Sequence, residues 1–440
     1  MQSCVGIRRE TRDKTQRRAP LSPEHVRELA QNHGIRVLVQ PWPGRVFKDH
    51  EYVQAGAELS EDLADANIIF GVKEIAKDYI DHARAYCYFS HTIKGQRENM
   101  PMLRTLLQEE CTLLDYELVR NEHRKRLIFF GDYAGYAGMI DTLWALGRRL
   151  AWEGIQSPLN VIRYATEYRS LAEAQREIRA VGRALRRVGL PKSLVPMVFG
   201  FTGYGRVSAG AQSVFNLLPF REVESDDLPD LVDAGNASRH HLYKVVFRKP
   251  DLYVRRRPGK PFSATEFAHH PERYRSRMSA ALPYLTVIVN GIYWEPGFPR
   301  LITRRALAQL FAKRGQARLR VIGDITCDVR GSCEVTLKTT DATNPVYVYL
   351  PGSRKVRDGW KGRGPVILAV DKLPTELPRE ASEAFGRALL PFVPALATAD
   401  FSRPLSQLDL PDELLRAIIV HRGHLTPRFR RLGNVLQRRR

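Results

Sequence analysis

Short apolar runs alternate along this chain with longer segments of helical period. Residues 4–7, 35–40, 68–72, 86–90 and 111–114 are runs of strand length, and near-continuous apolar runs of that size suit strands covered on both faces. Between them, Ser22 and Pro23 open a helix that Gly34 stops, and residues 51–57 and 102–109 also have helical character. A serine cap, a proline in the first turn and a glycine just past the end are the usual helix start and stop signals. Strand and helix in alternation predict parallel strands joined by right-handed crossovers, whose carboxyl ends share one edge of the sheet. Here those ends close on Lys73, on His91 and on Asp115, Tyr116 and Glu117.

A lysine and a histidine beside a carboxylate tune one another's proton affinity and can exchange protons. Lys73, His91 and Glu117 therefore form a candidate constellation, although each one alone would be no more than a solvated strand end.

The same alternation resumes in the middle of the chain around a different kind of turn. The apolar run 195–201 leads into Gly203, Gly205 and Gly210, followed by a helix-compatible segment at 211–218. Glycines let backbone N–H groups approach a pyrophosphate, and a helix N-terminus adds partial positive charge. Gly203, Tyr204, Gly205, Arg206 and Val207 are thus candidate cofactor contacts. The spacing G-x-G-x-x-x-x-G departs from the usual fingerprint, and an unliganded glycine turn is the plain alternative.

The next strand is expected at 221–224, where an acid about 20 residues past the first glycine would meet a ribose hydroxyl. Glu222 and Glu224 fall there and would favour NAD, while Arg221 would accommodate a phosphate. Further runs at 243–247, 285–289, 319–322 and 366–370 are strand-like, and the last three end near Asn290, Asp324 and Asp371. Two such sheets with facing strand ends would enclose a cleft. Asn290 and Asp324 are candidates for nicotinamide or ribose contacts. Residues 127–130 read as strand-like, the glycines of 131–138 as a hinge or a close helix contact, and 139–152 as a helix.

Charge changes the picture only in part. The 440 residues carry a formal net charge of +21, which attracts polyanions but also suits anionic substrates and an anionic cofactor. Nucleic acid is not an expected partner, because the arginines of the helical stretch 171–188 have no interleaved aromatic residues to stack on bases. The five cysteines are scattered without a C-x-x-C pair, so a reducing cytoplasm and no metal site are expected. Residues 1–18 have no apolar core, and no run of about 18 or more apolar residues suggests a membrane span.

Motifs in series then point to a family. They are RRAPLSPEHV at 17–26, GVKE at 71–74, FSHTIKGQ at 89–96, DYE at 115–117, FGDYAGYAGMID at 130–141, FTGYGRVSAGAQ at 201–212, HPERYRS at 270–276, NGIYW at 290–294, GDITCD at 323–328 and LPTELPREAS at 373–382. The chain resembles the lysine-ketoglutarate reductase family, the saccharopine-forming domain of bifunctional aminoadipic semialdehyde synthases. It is more distantly similar to lysine-forming saccharopine dehydrogenases, alanine dehydrogenase and nucleotide transhydrogenases.

The resemblance implies an α/β fold of two Rossmann-like domains with parallel sheets and an interdomain cleft. A substrate domain is expected at 1–140, a dinucleotide domain at 141–380, and a segment at 381–440 returning to the first. Carried over by position, Lys73 and His91 are the acid/base groups, Glu74 and Glu117 the carboxylates tuning them, and Arg18 and Arg126 the substrate-side arginines. The implied reaction is the reductive condensation of L-lysine with 2-oxoglutarate to saccharopine, with NADP(H) favoured over NAD(H) by family usage. The alternatives are an NAD-linked lysine-forming saccharopine dehydrogenase and a basic binding protein that kept the fold without the chemistry.

A homo-oligomer is compatible with the resemblance. A separate saccharopine dehydrogenase is expected for the next step, because the chain ends at Arg440. The family's stretch after GDITCD is usually glycine-rich and apolar, whereas VRGSCEVT here carries Arg330 and Cys333. The terminal stretch 428–440 reads as a solvated basic tail.

Overall fold

The computed structural model describes residues 3–12, 16–312 and 317–437; the last three arginines of the expected basic tail lie outside them. The chain forms two compact units, one of residues 1–130 with 378–440 and one of residues 131–377.

The first unit contains six strands in parallel: β1 (Cys4–Ile7), β2 (Arg36–Val39), β3 (Glu58–Leu59), β4 (Ile68–Phe70), β5 (Ala85–Cys87) and β6 (Thr112–Leu114). They lie in the order β6-β5-β4-β1-β2-β3. Beyond β6, the strand Ile418–His421 adds antiparallel, so the chain's last part completes this sheet. Helix α1 (Pro23–His33) starts at Ser22, whose side chain accepts the His25 amide, and stops at Gly34 in the left-handed region. Two further helices follow, α2 (Asp49–Gln54) and α3 (Met100–Gln108).

The run at 127–130 is not a strand. Phe130 turns into an aromatic cluster instead, stacked on Phe385 at 4.5 Å. Ring burial of this kind outweighs local strand propensity.

The second unit begins with α4 (Gly131–Trp152), followed by α5 (Leu171–Val188), the glycine-turn strand β7 (Val198–Thr202) and α6 (Arg206–Phe215). The glycines of 131–138 do not break the chain. They lie inside α4, and a methyl group at Gly135 would fall on the Val207 carbonyl of α6. One at Gly210 would lie 2.5 Å from the Asp132 carbonyl. Glycine is used here for backbone contact between two helices, the second of the two readings above. α6 begins at Arg206, earlier than the expected 211.

The remaining strands are β8 (Phe220–Glu222), β9 (Leu242–Phe247), the ribbon β10 (Tyr253–Arg255) with β11 (Tyr274–Ser276), β12 (Val287–Asn290), β13 (Val321–Asp324), β14 (Val346–Leu350), β15 (Lys355–Asp358) and β16 (Val366–Leu368). Their sheet runs β15-β14-β16-β13-β12-β7-β9-β8. Within it, β8, β9, β7, β12, β13 and β16 are parallel, and the β14–β15 hairpin is antiparallel. Separate apolar layers cover the two faces of the sheet.

Asp141 of α4 and Glu376 form a buried acid pair with Tyr164, whose hydroxyl donates to Glu376. Asp141 accepts the Ala165 amide at 2.8 Å. One oxygen of each carboxyl has no conventional donor, which a proton shared between the two acids would satisfy. Burial pushes both carboxyls above their ordinary values.

Candidate functional site

The parallel neighbours β4, β5 and β6 bring Lys73 and Glu74, His91, and Glu117 to the same edge of the first sheet. Buried polar groups hold the turn after each strand. Glu10 accepts the amides of Val72 at 2.7 Å and Lys73 at 3.0 Å. Arg8 donates to the Lys73 carbonyl and pairs with Glu10 at 3.7 Å. Both side chains of that pair are buried, so each offsets the other's desolvation.

His91 stands in the left-handed region, at φ 46°, an uncommon conformation for a residue with a side chain. Two contacts hold it there. Asn99 donates to its carbonyl at 3.1 Å. Asp115 accepts the Ser90 amide and hydroxyl and also the Glu117 amide, tying the turn after β5 to the turn after β6.

The imidazole stacks on Phe89 and places Nδ1 2.6 Å from Oε1 of Glu74. With Glu74 ionised, Nδ1 must carry the hydrogen, which leaves Nε2 as the nitrogen that can take up and release a proton. Burial pushes the Glu74 carboxyl upward, but the hydrogen bond and charge of His91 outweigh it and the net position is below the ordinary value. A carboxylate so held orients the ring and stabilises the imidazolium.

Glu117 does not join that pair directly. It forms an ion pair with Arg126. Arg18 lies buried with its guanidinium 4.1 Å above the Phe130 ring, and its Nε donates to Gln16. The edge therefore groups a lysine and a histidine–carboxylate pair, with an arginine–carboxylate pair after β6. Glu10 and Asn99 escaped the sequence reading as parts of this edge, and Asp115, read there as a strand end, has a holding role that no local spacing marks, because it ties the Ser90 turn to its own.

In the second unit, Gly203 turns at φ 83°, and a Cβ there would meet Ile292 Cα at 3.3 Å. Gly205 is the N-cap of α6 and supplies no side-chain cap, unlike Ser170 of α5, which accepts the Glu173 amide. The amides of the first turn at Arg206 and Val207 thus lack an intrahelical acceptor. This is a fit for a pyrophosphate. Arg206 also pairs with Asp132 at 3.3 Å.

Asn290 and Asp324, expected to face a ligand, face each other. Asn290 accepts from Thr202 at 2.6 Å and donates to Asp324 and Ser332, each at 2.8 Å. Asp324 also accepts from Thr326 and Thr336. Both side chains are buried, and they lock the ends of β7, β12 and β13 together.

Glu224, expected beside a ribose, follows the outermost strand instead. β9 lies between β8 and β7, and β8 ends with Glu222 in register with Lys244, while Thr202 is in register with Phe247. On the β9 side of the glycine turn, the residues that leave the sheet are therefore Arg248 and Lys249, not an acid. Among the described residues, no cluster of His, Cys, Asp or Glu could hold a metal ion, and no helix is long and apolar enough to cross a membrane.

Comparison with known proteins places the chain in a family. The model of the alanine dehydrogenase/PNT N-terminal domain matches residues 6–137, and that of the alanine dehydrogenase/PNT C-terminal domain matches residues 286–428. The chain is 39% identical to the alpha-aminoadipic semialdehyde synthase of Arabidopsis thaliana, over 96% of this chain and 40% of that protein. It is 35% identical to the mitochondrial protein of the same name from Rattus norvegicus, over 99% of this chain and 48% of that one. The chain thus spans less than half the length of these relatives.

A saccharopine dehydrogenase [NAD(+), L-lysine-forming] of Neurospora crassa is 26% identical over 88% of this chain and 90% of its own. Among solved structures, an L-alanine dehydrogenase superposes with a TM-score of 0.61 at 20% identity, covering 98% of this chain and 99% of that one. The likeness shows the two-domain Rossmann-like fold.

Proposed function

We propose that this chain, which belongs to the alanine dehydrogenase/PNT family, is an oxidoreductase that joins the ε-amine of L-lysine to the keto carbon of 2-oxoglutarate. The product is saccharopine, with one water released and one NADPH oxidised. The observation carrying this reading is the His91–Glu74 pair beside Lys73 on one sheet edge, together with the semialdehyde synthase relatives.

The neutral amine attacks the keto carbon, so a proton must leave nitrogen and the hydroxyl of the carbinolamine must leave as water. His91 Nε2 takes the first proton and returns one to the departing oxygen. Glu74 holds the ring in the tautomer this needs and stabilises its charged form. Lys73 relays the second proton. The substrates carry carboxylates, which the guanidinium forks of Arg18 and Arg126 bind, and Glu117 holds Arg126 in place. A bound dinucleotide supplies the hydride that reduces the imine. Gly203, Tyr204, Gly205, Arg206 and Val207 would hold its pyrophosphate at the uncapped start of α6.

We assign the cofactor as NADP(H) over NAD(H), because cations and not an acid follow the strand beside the glycine turn. All five cysteines are free thiols, which supports a reducing compartment, the cytoplasm in our reading. The test is NADPH oxidation with both substrates and with each omitted, with the product identified by mass. Saccharopine formed only when lysine and 2-oxoglutarate are both present is expected. Oxidation with 2-oxoglutarate and ammonia alone would replace the lysine assignment.

A further inference from the structure

The strand order of the second unit moves the place where a cofactor's adenosine ribose is read. In a dinucleotide fold, the residue leaving the strand next to the glycine-turn strand reaches the ribose 2′ position. In this chain β7 lies between β12 and β9; on the side away from β12 and β13 the neighbour is β9, the third strand of the unit in sequence, and β8 is pushed outside it. Thr202 of β7 is in register with Phe247 of β9, and the Gly203 amide donates to the Phe247 carbonyl at 3.4 Å. The next residue, Arg248, therefore leaves the sheet beside the turn itself.

We propose that Arg248 holds the 2′-phosphate of NADP(H) and is the residue that sets the cofactor preference. The proposal rests on the NADP(H) reading given above.

The local structure fixes the base of this side chain and leaves its head open. Its amide donates to Asp251 at 2.7 Å, and its carbonyl accepts the amides of Asp251 and Leu252. The side chain is exposed, and among the described residues no carboxylate reaches the guanidinium. That contrasts with the other basic candidates. Arg206 is paired with Asp132, and the Lys249 ammonium lies 5.8 Å from the Phe267 ring. Arg221 sits on the outermost strand.

Asp251, the nearest acid in sequence to the end of β9, already accepts the Arg248 amide through Oδ2. A guanidinium fork matches two phosphate oxygens at once, a geometry that a ribose hydroxyl does not offer. Arg248 therefore adds affinity for NADPH and little for NADH.

The test is a fluorescence titration of NADPH and of NADH into the whole chain, as wild type, Arg248→Ala, Arg248→Asp and Lys249→Ala. Losing a charged, bidentate contact raises the NADPH Kd by about 10- to 100-fold. The NADH Kd is expected to stay within about twofold, which also reports that the variants are folded. Arg248→Asp should reverse the preference, and Lys249→Ala should move it less than Arg248→Ala. A wild type that prefers NADPH with an Arg248→Ala variant that keeps the same preference would overturn the role of Arg248 and leave the NADP(H) reading standing. A wild type that binds NADH as tightly as NADPH would overturn both.

Discussion

The carboxyl edges of the two sheets are built from the same device, parallel strands that stop at polar residues, and they use it in opposite ways. At the second edge, Asn290 and Asp324 are buried and satisfied by each other, by Thr202, Thr326 and Thr336, and by Ser332. At the first, the buried residues Glu10, Asn99 and Asp115 take the holding role and free Glu74, His91 and Glu117 from it. These three remain partly exposed, with side-chain accessibilities of 16%, 34% and 14%. A polar residue at a strand end is therefore not yet a functional one. The distinction is whether a second layer of polar groups does the holding, since an internally satisfied network rigidifies and has no valence left for a ligand.

This contrast can be broken at several points, and the largest effect belongs to the second edge. Asp324→Ala leaves Asn290, Thr326 and Thr336 without their shared acceptor and should cost about 3 kcal/mol of stability, read as a shift in the denaturant midpoint. At the first edge the corresponding loss should be one of function. Arg126→Ala removes one of the two guanidinium forks proposed to bind carboxylate, and the KM for 2-oxoglutarate should rise about 10- to 100-fold at nearly constant midpoint. Glu74→Gln keeps the shape but removes the charge that holds the imidazolium, and kcat should fall about 10-fold or more.

The smallest effect sharpens the comparison from outside both edges. Burial raises the carboxyls of Asp141 and Glu376, so the folded chain keeps protons there that the unfolded chain releases above pH ~4. Stability from this pair is present below that pH and is lost as pH rises toward the raised folded values. Glu376→Gln should flatten this slope and gain about 1 kcal/mol near neutral pH, seen as a higher Tm at pH 8 than wild type with little change at pH 5.

Much of the fold was legible because it depends on local pattern. The start and stop of α1 are written in Ser22, Pro23 and Gly34, and the apolar runs before Lys73, His91 and Glu117 name three neighbouring strands. What was not legible depends on partners far away in sequence. The glycines of 131–138 suited a hinge and a close helix contact equally, and only α6, distant in sequence, decides for the contact by packing against their backbone. The acid looked for at 222–224 stands on the wrong strand because sequence spacing counts strands in chain order and a sheet need not. The holding roles of Glu10 and Asp115 join turns that no window of sequence brings together.

His91→Ala, assayed for turnover with L-lysine, 2-oxoglutarate and NADPH while NADPH affinity is titrated in parallel, tests most directly whether the first edge does the proton chemistry. Turnover about 100-fold lower or worse, with the dissociation constant unchanged, is the predicted result. Undiminished turnover, or affinity lost in step with it, would contradict the account.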